Sequence, residues 1–184
     1  MSLILASASP RRQELIRLLT DDFRICPASG EKLPGKYQTP AEYALSMAKS
    51  KAQQVSAKFR QPVLGADTVV CLGARIFGKP KDVEDNIAML TDLSGKWHGV
   101  ITAIVLCKGG KVIGSDIITT RVLFVKMSPQ EISSYARRGE GLDKAGGYGI
   151  QGMAGKYIAG IDGCYYNVVG LPVAATADLI RGQI

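Results

Sequence analysis

Read for the spacing of apolar and polar positions, the chain opens with a short apolar run, Leu3-Ile4-Leu5. Small residues follow, Ala6-Ser7-Ala8-Ser9, and then Pro10. Serine at an N-cap with proline at the first helical position is a strong helix start. The pattern predicts strand, loop and helix in that order, with Leu15, Leu18 and Leu19 on one side of the helix. Thr39-Pro40-Ala41-Glu42 repeats the start with a capping box, and Ala44, Ala48, Ala52 and Val55 continue at helical spacing. The run from Pro62 to Leu72, rich in β-branched residues, reads as a buried central strand that turns at Gly73-Ala74 towards Ile76-Phe77.

Val83, Ile87 and Leu90 are in helical register between Asp82 and Leu93, with Gly95 as the stop. Two long strands, His98 to Cys107 and Val112 to Val125, are expected to form a hairpin through Gly109-Gly110. Ser128-Pro129-Gln130-Glu131 starts another capped helix that Gly139 ends, and a glycine-rich stretch runs on to Gly155. Tyr157 to Ile161 and Cys164 to Val169 read as a second hairpin about Asp162-Gly163, and Pro172 opens a last helix. Hairpins mixed with crossover helices predict an α/β fold whose central sheet is mixed and flanked by helices.

Composition narrows the class. With 184 residues, 46% hydrophobic and 21% charged, the chain can build a substantial core without staples, as one domain over 1–184 made of two closely packed lobes. No segment approaches the roughly 18 apolar residues of a membrane span. The N-terminus runs straight into strand-like sequence, so no secretory signal is expected. Cys26, Cys71, Cys107 and Cys164 form no C-x-x-C pair and read as free thiols of a cytoplasmic protein. A single histidine, His98, excludes a His-rich zinc site within the chain and points any metal towards oxygen ligands, hence magnesium or manganese. The net charge of +7 selects an anionic partner, nucleic acid or triphosphate alike.

Four places look chemical. Ser7, Ser9, Arg11 and Arg12 cluster at a helix start, where backbone N–H groups, hydroxyls and guanidiniums suit phosphate; the plain alternative is a cap with surface arginines. Asp67 lies among apolar residues and glycine, with Thr68 its one polar neighbour. A buried carboxylate there bonds backbone amides at a strand end, or serves as metal ligand or general base. Lys51 falls inside the apolar arc of its helix and must snorkel or meet an anion, and Lys79 stands in a constrained Gly-Lys-Pro turn. The stretch from Leu142 to Gly152, with Asp143, Lys144 and Gln151, offers backbone close to a ligand and directional side chains, but it is no Walker loop. His98 reads as a structural hydrogen-bonding residue and Glu31 as an acid in a polar loop.

Seven segments in order resemble the Maf family of nucleotide pyrophosphatases: Leu5 to Arg12, Ala48 to Ala52, Gly65 to Val70, Gly78-Lys79-Pro80, Leu93-Ser94-Gly95 with His98 and Thr102, Asp143 to Gly146, and Val168 to Pro172. The resemblance implies a two-lobed α/β fold with a cleft, similar to the inosine triphosphate pyrophosphatases. It also implies hydrolysis between the α and β phosphorus atoms with a divalent metal, and a homodimer. Tyr148 to Gly152 resembles the branch acting on dTTP and UTP, in which Arg11, Thr68 and Gln151 match specificity positions. On that footing Asp67, Lys51 and Lys79 are the expected catalytic residues, and Asp67 and Glu31 the metal ligands. Ser7, Ser9, Arg11, Arg12, Thr68, Asp143, Lys144 and Gln151 are expected to bind substrate. A nucleic-acid-binding or cell-division protein without turnover is the rival, disfavoured by 7% aromatics and dispersed basic residues. A purine-directed pyrophosphatase is the third reading.

Overall fold

The computed structural model describes residues 2–29 and 39–182. Glu31, one of the two expected metal ligands, lies outside the described residues.

The strands are β1 (Leu3–Leu5), β2 (Phe23–Ile25), β3 (Val63–Leu72), β4 (Arg75–Phe77), β5 (Trp97–Lys108), β6 (Lys111–Phe124) and β7 (Ile158–Asp162). They form one mixed sheet in the order β2-β1-β3-β5-β6-β7, with β4 also paired to β3. β1 runs parallel to β2 and β3, and the remaining pairs are antiparallel. The helices are α1 (Pro10–Ile16), α2 (Pro40–Ser56), α3 (Val83–Leu93), α4 (Pro129–Ala136), α5 (Tyr165–Val169) and α6 (Val173–Arg181). The capping boxes expected at Thr39/Glu42 and Ser128/Glu131 both form, satisfying N-terminal amides that would otherwise lack partners.

Strand alternation divides the core. Val69 and Cys71 of β3, with Ile101, Ala103, Val105 and Cys107 of β5, pack under Ala44, Ala48 and Ala52 of α2. On the opposite face, Leu64 and Ala66 pack with Leu15, Ile16 and Leu171, while Val70 joins Leu90, Leu93, Ile132 and Tyr135 from α3 and α4. Between these two apolar clusters lies a polar seam of Thr68, Thr102, Thr120 and Asn167. The Thr68 and Thr102 hydroxyls meet at 2.8 Å, Thr102 donates to the Asn167 carbonyl, and the Asn167 amide donates to Thr120 and to the Val100 carbonyl.

Two expectations are corrected. Cys164 to Val169 is not the second arm of a hairpin: pairing ends at Asp162, and Tyr165–Val169 turns into α5. Its tyrosines and valines favour strand, but the helical turn brings Asn167 into the buried polar seam, a tertiary gain that local propensity does not register. The first helix ends at Ile16, so the buried side is Leu15 and Ile16, and Leu18 is 60% exposed.

The approach of α2 to β3 is set by Gly65. A Cβ there would lie 2.5 Å from the Ala48 carbonyl oxygen and 2.8 Å from the Ala52 nitrogen, both backbone atoms that cannot swing aside. Gly65→Ala is therefore expected to destabilise the fold by about 2 kcal/mol through overpacking. Gly78→Ala, where the added carbon meets nothing within 4 Å, should change stability by less than about 0.5 kcal/mol. Denaturant unfolding checks the pair, and a wild-type midpoint for Gly65→Ala would contradict the packing described.

Candidate functional site

The edge of β3 that faces β1 and β4 is interrupted. β1 pairs with it only as far as Leu64, and β4 takes over only at Val70. Among the described residues, 65–69 have a strand neighbour on the β5 side alone. The Pro62 carbonyl accepts from Ile4 and the Leu64 carbonyl from Ala6, so by alternation the peptide groups of Ala66, which is buried, and Thr68, which lines the cleft, lie on the same edge. A cleft of about 910 Å³ occupies the gap.

Eleven of the twelve expected site residues line this cleft: Ser7, Ser9, Arg11, Arg12, Lys51, Asp67, Thr68, Lys79, Asp143, Lys144 and Gln151. They come from the β1–α1 loop, α2, β3, the turn after β4 and the glycine-rich stretch, segments far apart in sequence. The twelfth is Glu31.

Asp67 faces α2, and Lys51 Nζ donates to its Oδ1 at 2.7 Å, so the inward lysine meets an anion instead of snorkelling. The two side chains are only 13% and 15% exposed, so either charge left without the other would be costly. The second carboxylate oxygen of Asp67 makes no hydrogen bond among the described residues.

Thr68 points to the other face. Arg12 spans it, donating through Nε to the Gly170 carbonyl at 2.8 Å, through one terminal nitrogen to Thr68 Oγ1 at 3.0 Å and through the other to Ser7 Oγ at 3.3 Å. Its fork is thus held at the cleft wall by three elements before any ligand arrives. Ser9 occupies the N-cap of α1 yet makes no side-chain cap bond, which leaves its hydroxyl to the cleft.

Gln151 is exposed at the mouth, and Lys79, also exposed, makes no ion pair among the described residues. Opposite α1, Asp143 accepts from Lys144 at 2.5 Å and from Arg11 at 3.4 Å, which joins the two sides of the cleft. Burial pushes the Asp143 carboxyl up, but the Lys144 ammonium and the Arg11 guanidinium outweigh it and hold it below its ordinary range.

The glycine-rich stretch is not a loose surface loop. Gly146, Gly147 and Tyr148 are buried, and the Gly146 amide donates to the Gly78 carbonyl, tying the stretch to the Lys79 turn.

Several cleft residues are not evident from the sequence reading. Tyr43 and Met47 stand two turns and one turn before Lys51 on α2, and the four-residue spacing beside the alanine stripe is the clue to them. Glu140, an acid between two glycines at the head of the glycine-rich stretch, also lines the cleft.

The family described as Maf-like protein matches residues 2–183. A protein of Koribacter versatilis (strain Ellin345) named dTTP/UTP pyrophosphatase is 44% identical over 182 residues, 98% of this chain and 94% of its own. One of the same name from Aquifex aeolicus (strain VF5) is 43% identical over 184 residues, 98% of this chain and 95% of its own. Among solved structures, a HAM1 protein from Coxiella burnetii is similar over 69% of this chain and 74% of that one, with a TM-score of 0.49 and 16% identity.

The floor of the cleft rests on His98, as its structural role at the sequence level anticipates. It is 3% exposed, its Nε2 lies 2.8 Å from the Tyr148 hydroxyl, and its ring meets Phe124 and Tyr148 edge to face. Burial pushes the imidazole down to about 4, against a smaller upward pull from the Lys96 backbone. An unfolded imidazole ionises near 6.5, so the unfolded chain binds more protons between these values. This contribution to stability is complete above pH 6.5 and is lost as the pH falls towards 4, by about 3 kcal/mol. Urea unfolding from pH 7 to pH 4 should therefore show a shallower loss in His98→Gln than in the wild type; parallel losses would contradict a buried neutral imidazole.

Proposed function

This chain belongs to the Maf family, and we propose that it hydrolyses dTTP and UTP to the monophosphate and pyrophosphate with the help of a divalent cation. The observation that carries this reading is the convergence of Asp67, Lys51, Arg12, Ser7, Ser9 and Lys79 on one cleft at the open edge of β3. The names of the relatives at 43–44% identity support the substrate class. Such a site suits a polyphosphate, because hydroxyls, a guanidinium and ammoniums supply donors, while the Asp67 carboxylate has an oxygen with no hydrogen bond among the described residues.

The donor set fits magnesium or manganese. Such ions are commonly bound through one or two carboxylates together with substrate phosphates, and do not need a cage of protein ligands. No cluster of three or more metal-ligating side chains exists among the described residues, so Asp67, with Glu31 as its candidate companion, would hold the ion jointly with the nucleotide. When bound, that ion supplies positive charge to the phosphates.

The chain's own groups divide the remaining work. Ser7, Ser9 and the fixed fork of Arg12 receive the phosphates, and the peptide group of Thr68 offers hydrogen bonds at the strand edge. The Asp67 carboxylate, held by Lys51, orients the attacking water towards the α phosphorus, and the water's proton leaves to solvent. As the α–β bond breaks, negative charge grows on the departing pyrophosphate, and Lys51 and Lys79 stabilise it. Lys51 acts in both places, since it also holds the carboxylate in position. Arg11, Thr68 and Gln151 at the cleft mouth and wall select the pyrimidine nucleotide, and Asp143 and Lys144 complete the binding surface opposite α1.

A panel of nucleoside triphosphates with manganese or magnesium, with pyrophosphate and orthophosphate assayed separately, tests the reading. dTTP and UTP are expected to be the preferred substrates, with pyrophosphate as primary product. Asp67→Asn keeps an oxygen for Lys51 and should fold, but lose turnover by about 100-fold or more. Orthophosphate as first product, preference for inosine or guanine nucleotides, or an active Asp67→Asn enzyme would each overturn the assignment.

A further inference from the structure

Glu140 stands where α4 hands the chain to the glycine-rich stretch, and it holds that stretch from both ends. Its Oε1 accepts from the Tyr135 hydroxyl at 2.9 Å, and its Oε2 accepts from the Met153 amide at 2.9 Å. Its carbonyl accepts from Lys144 Nζ at 2.5 Å. The Tyr135 hydroxyl in turn lies 3.3 Å from the Gly149 amide, which donates to it. Residues 149–153, with Gln151 at their centre, are therefore pinned at both ends by one carboxylate and its phenol partner, while Lys144 is pinned by the same residue's backbone.

The fit is close enough to dictate sequence. A Cβ on Gly152 would fall well inside contact distance of both Glu140 carboxylate oxygens, and a Cβ on Gly149 would lie 2.8 Å from Lys144 Cε. The chain is draped directly over the carboxylate. Tyr135 is 4% exposed, and burial first, then its bond to Glu140, push the phenol up, so it remains a donor at any pH the protein meets.

We infer that Glu140 is a positioning residue for nucleotide binding: its carboxylate fixes the 149–153 segment so that Gln151 and Lys144 meet the substrate in a set geometry. This rests on the pyrophosphatase reading of the cleft. Glu140 acts through the residues it holds, so its loss should weaken substrate capture and selectivity while sparing the chemical step at Asp67.

Glu140→Gln is the test, because glutamine keeps the shape and one acceptor oxygen, but its amide nitrogen cannot accept from the second donor. The KM for dTTP and UTP is expected to rise about tenfold, and their preference over other nucleotides to fall. The kcat should stay within about twofold, since binding lost equally from ground and transition states raises KM alone. Tyr135→Phe should act in the same direction and more weakly. Hydrogen exchange followed by mass spectrometry supplies a readout independent of turnover: amides in 149–153 should exchange faster in both variants, and those of β3 should not. Wild-type KM and wild-type exchange in Glu140→Gln would overturn the inference, as would a 100-fold fall in kcat at unchanged KM. If the wild type itself releases no pyrophosphate, the pyrophosphatase reading fails, while the exchange rates still decide whether Glu140 holds the segment.

Discussion

Among the described residues, the central strand from Gly65 to Val69 has a hydrogen-bonded neighbour on one edge only, because β1 leaves it after Leu64 and β4 joins it only at Val70. Backbone groups inside a folded protein need partners, and a gap of this length in mid-sheet would be costly if it were closed over. From Asp67 onwards the strand borders a cleft. The small residues Ala6 to Ser9 let the chain veer from β1 into α1, and β4 is short enough to leave the gap. Asp67 and Thr68 sit at its centre, facing opposite sides of the sheet.

Each of those two side chains is secured by a cation from a different direction. Lys51 reaches Asp67 from α2, and Arg12 reaches Thr68 from α1. Charge and geometry are thereby coupled to packing: the α2 contact depends on Gly65 allowing helix backbone to lie against strand, and the Arg12 contact depends on the polar seam under α5. A site made in this way is organised before substrate arrives, which lowers the ordering cost of binding. The positive groups proposed to meet the phosphates are the same ones that hold the carboxylate and the strand.

Much of this was legible in the sequence. The capped starts at Thr39 and Ser128, the β5–β6 hairpin and the central strand all follow from local patterns that tertiary structure did not override. Asp67 and Lys51 were each conspicuous as a charge in an apolar setting. Their meeting was not legible, because it depends on how closely α2 approaches β3, a distance set by Gly65 and by alanines on a different element. α5 was misread for a related reason: Tyr165, Tyr166, Val168 and Val169 favour strand, and only the buried partners of Asn167 explain the helix. Glu140 escaped notice because its importance lies in what it touches across the glycine-rich stretch, which no periodicity records.

The central claim is that the open edge of β3 seats the polyphosphate and that Asp67 is the carboxylate beside it. Crystals soaked with manganese and a non-hydrolysable dTTP analogue, examined by anomalous diffraction, address it most directly. The account predicts a manganese peak at the Asp67 oxygen that Lys51 leaves unengaged, with the phosphates along Ser7, Arg12 and the edge of β3. A nucleotide bound elsewhere, with Asp67 engaged only by Lys51 and no metal beside it, would contradict it.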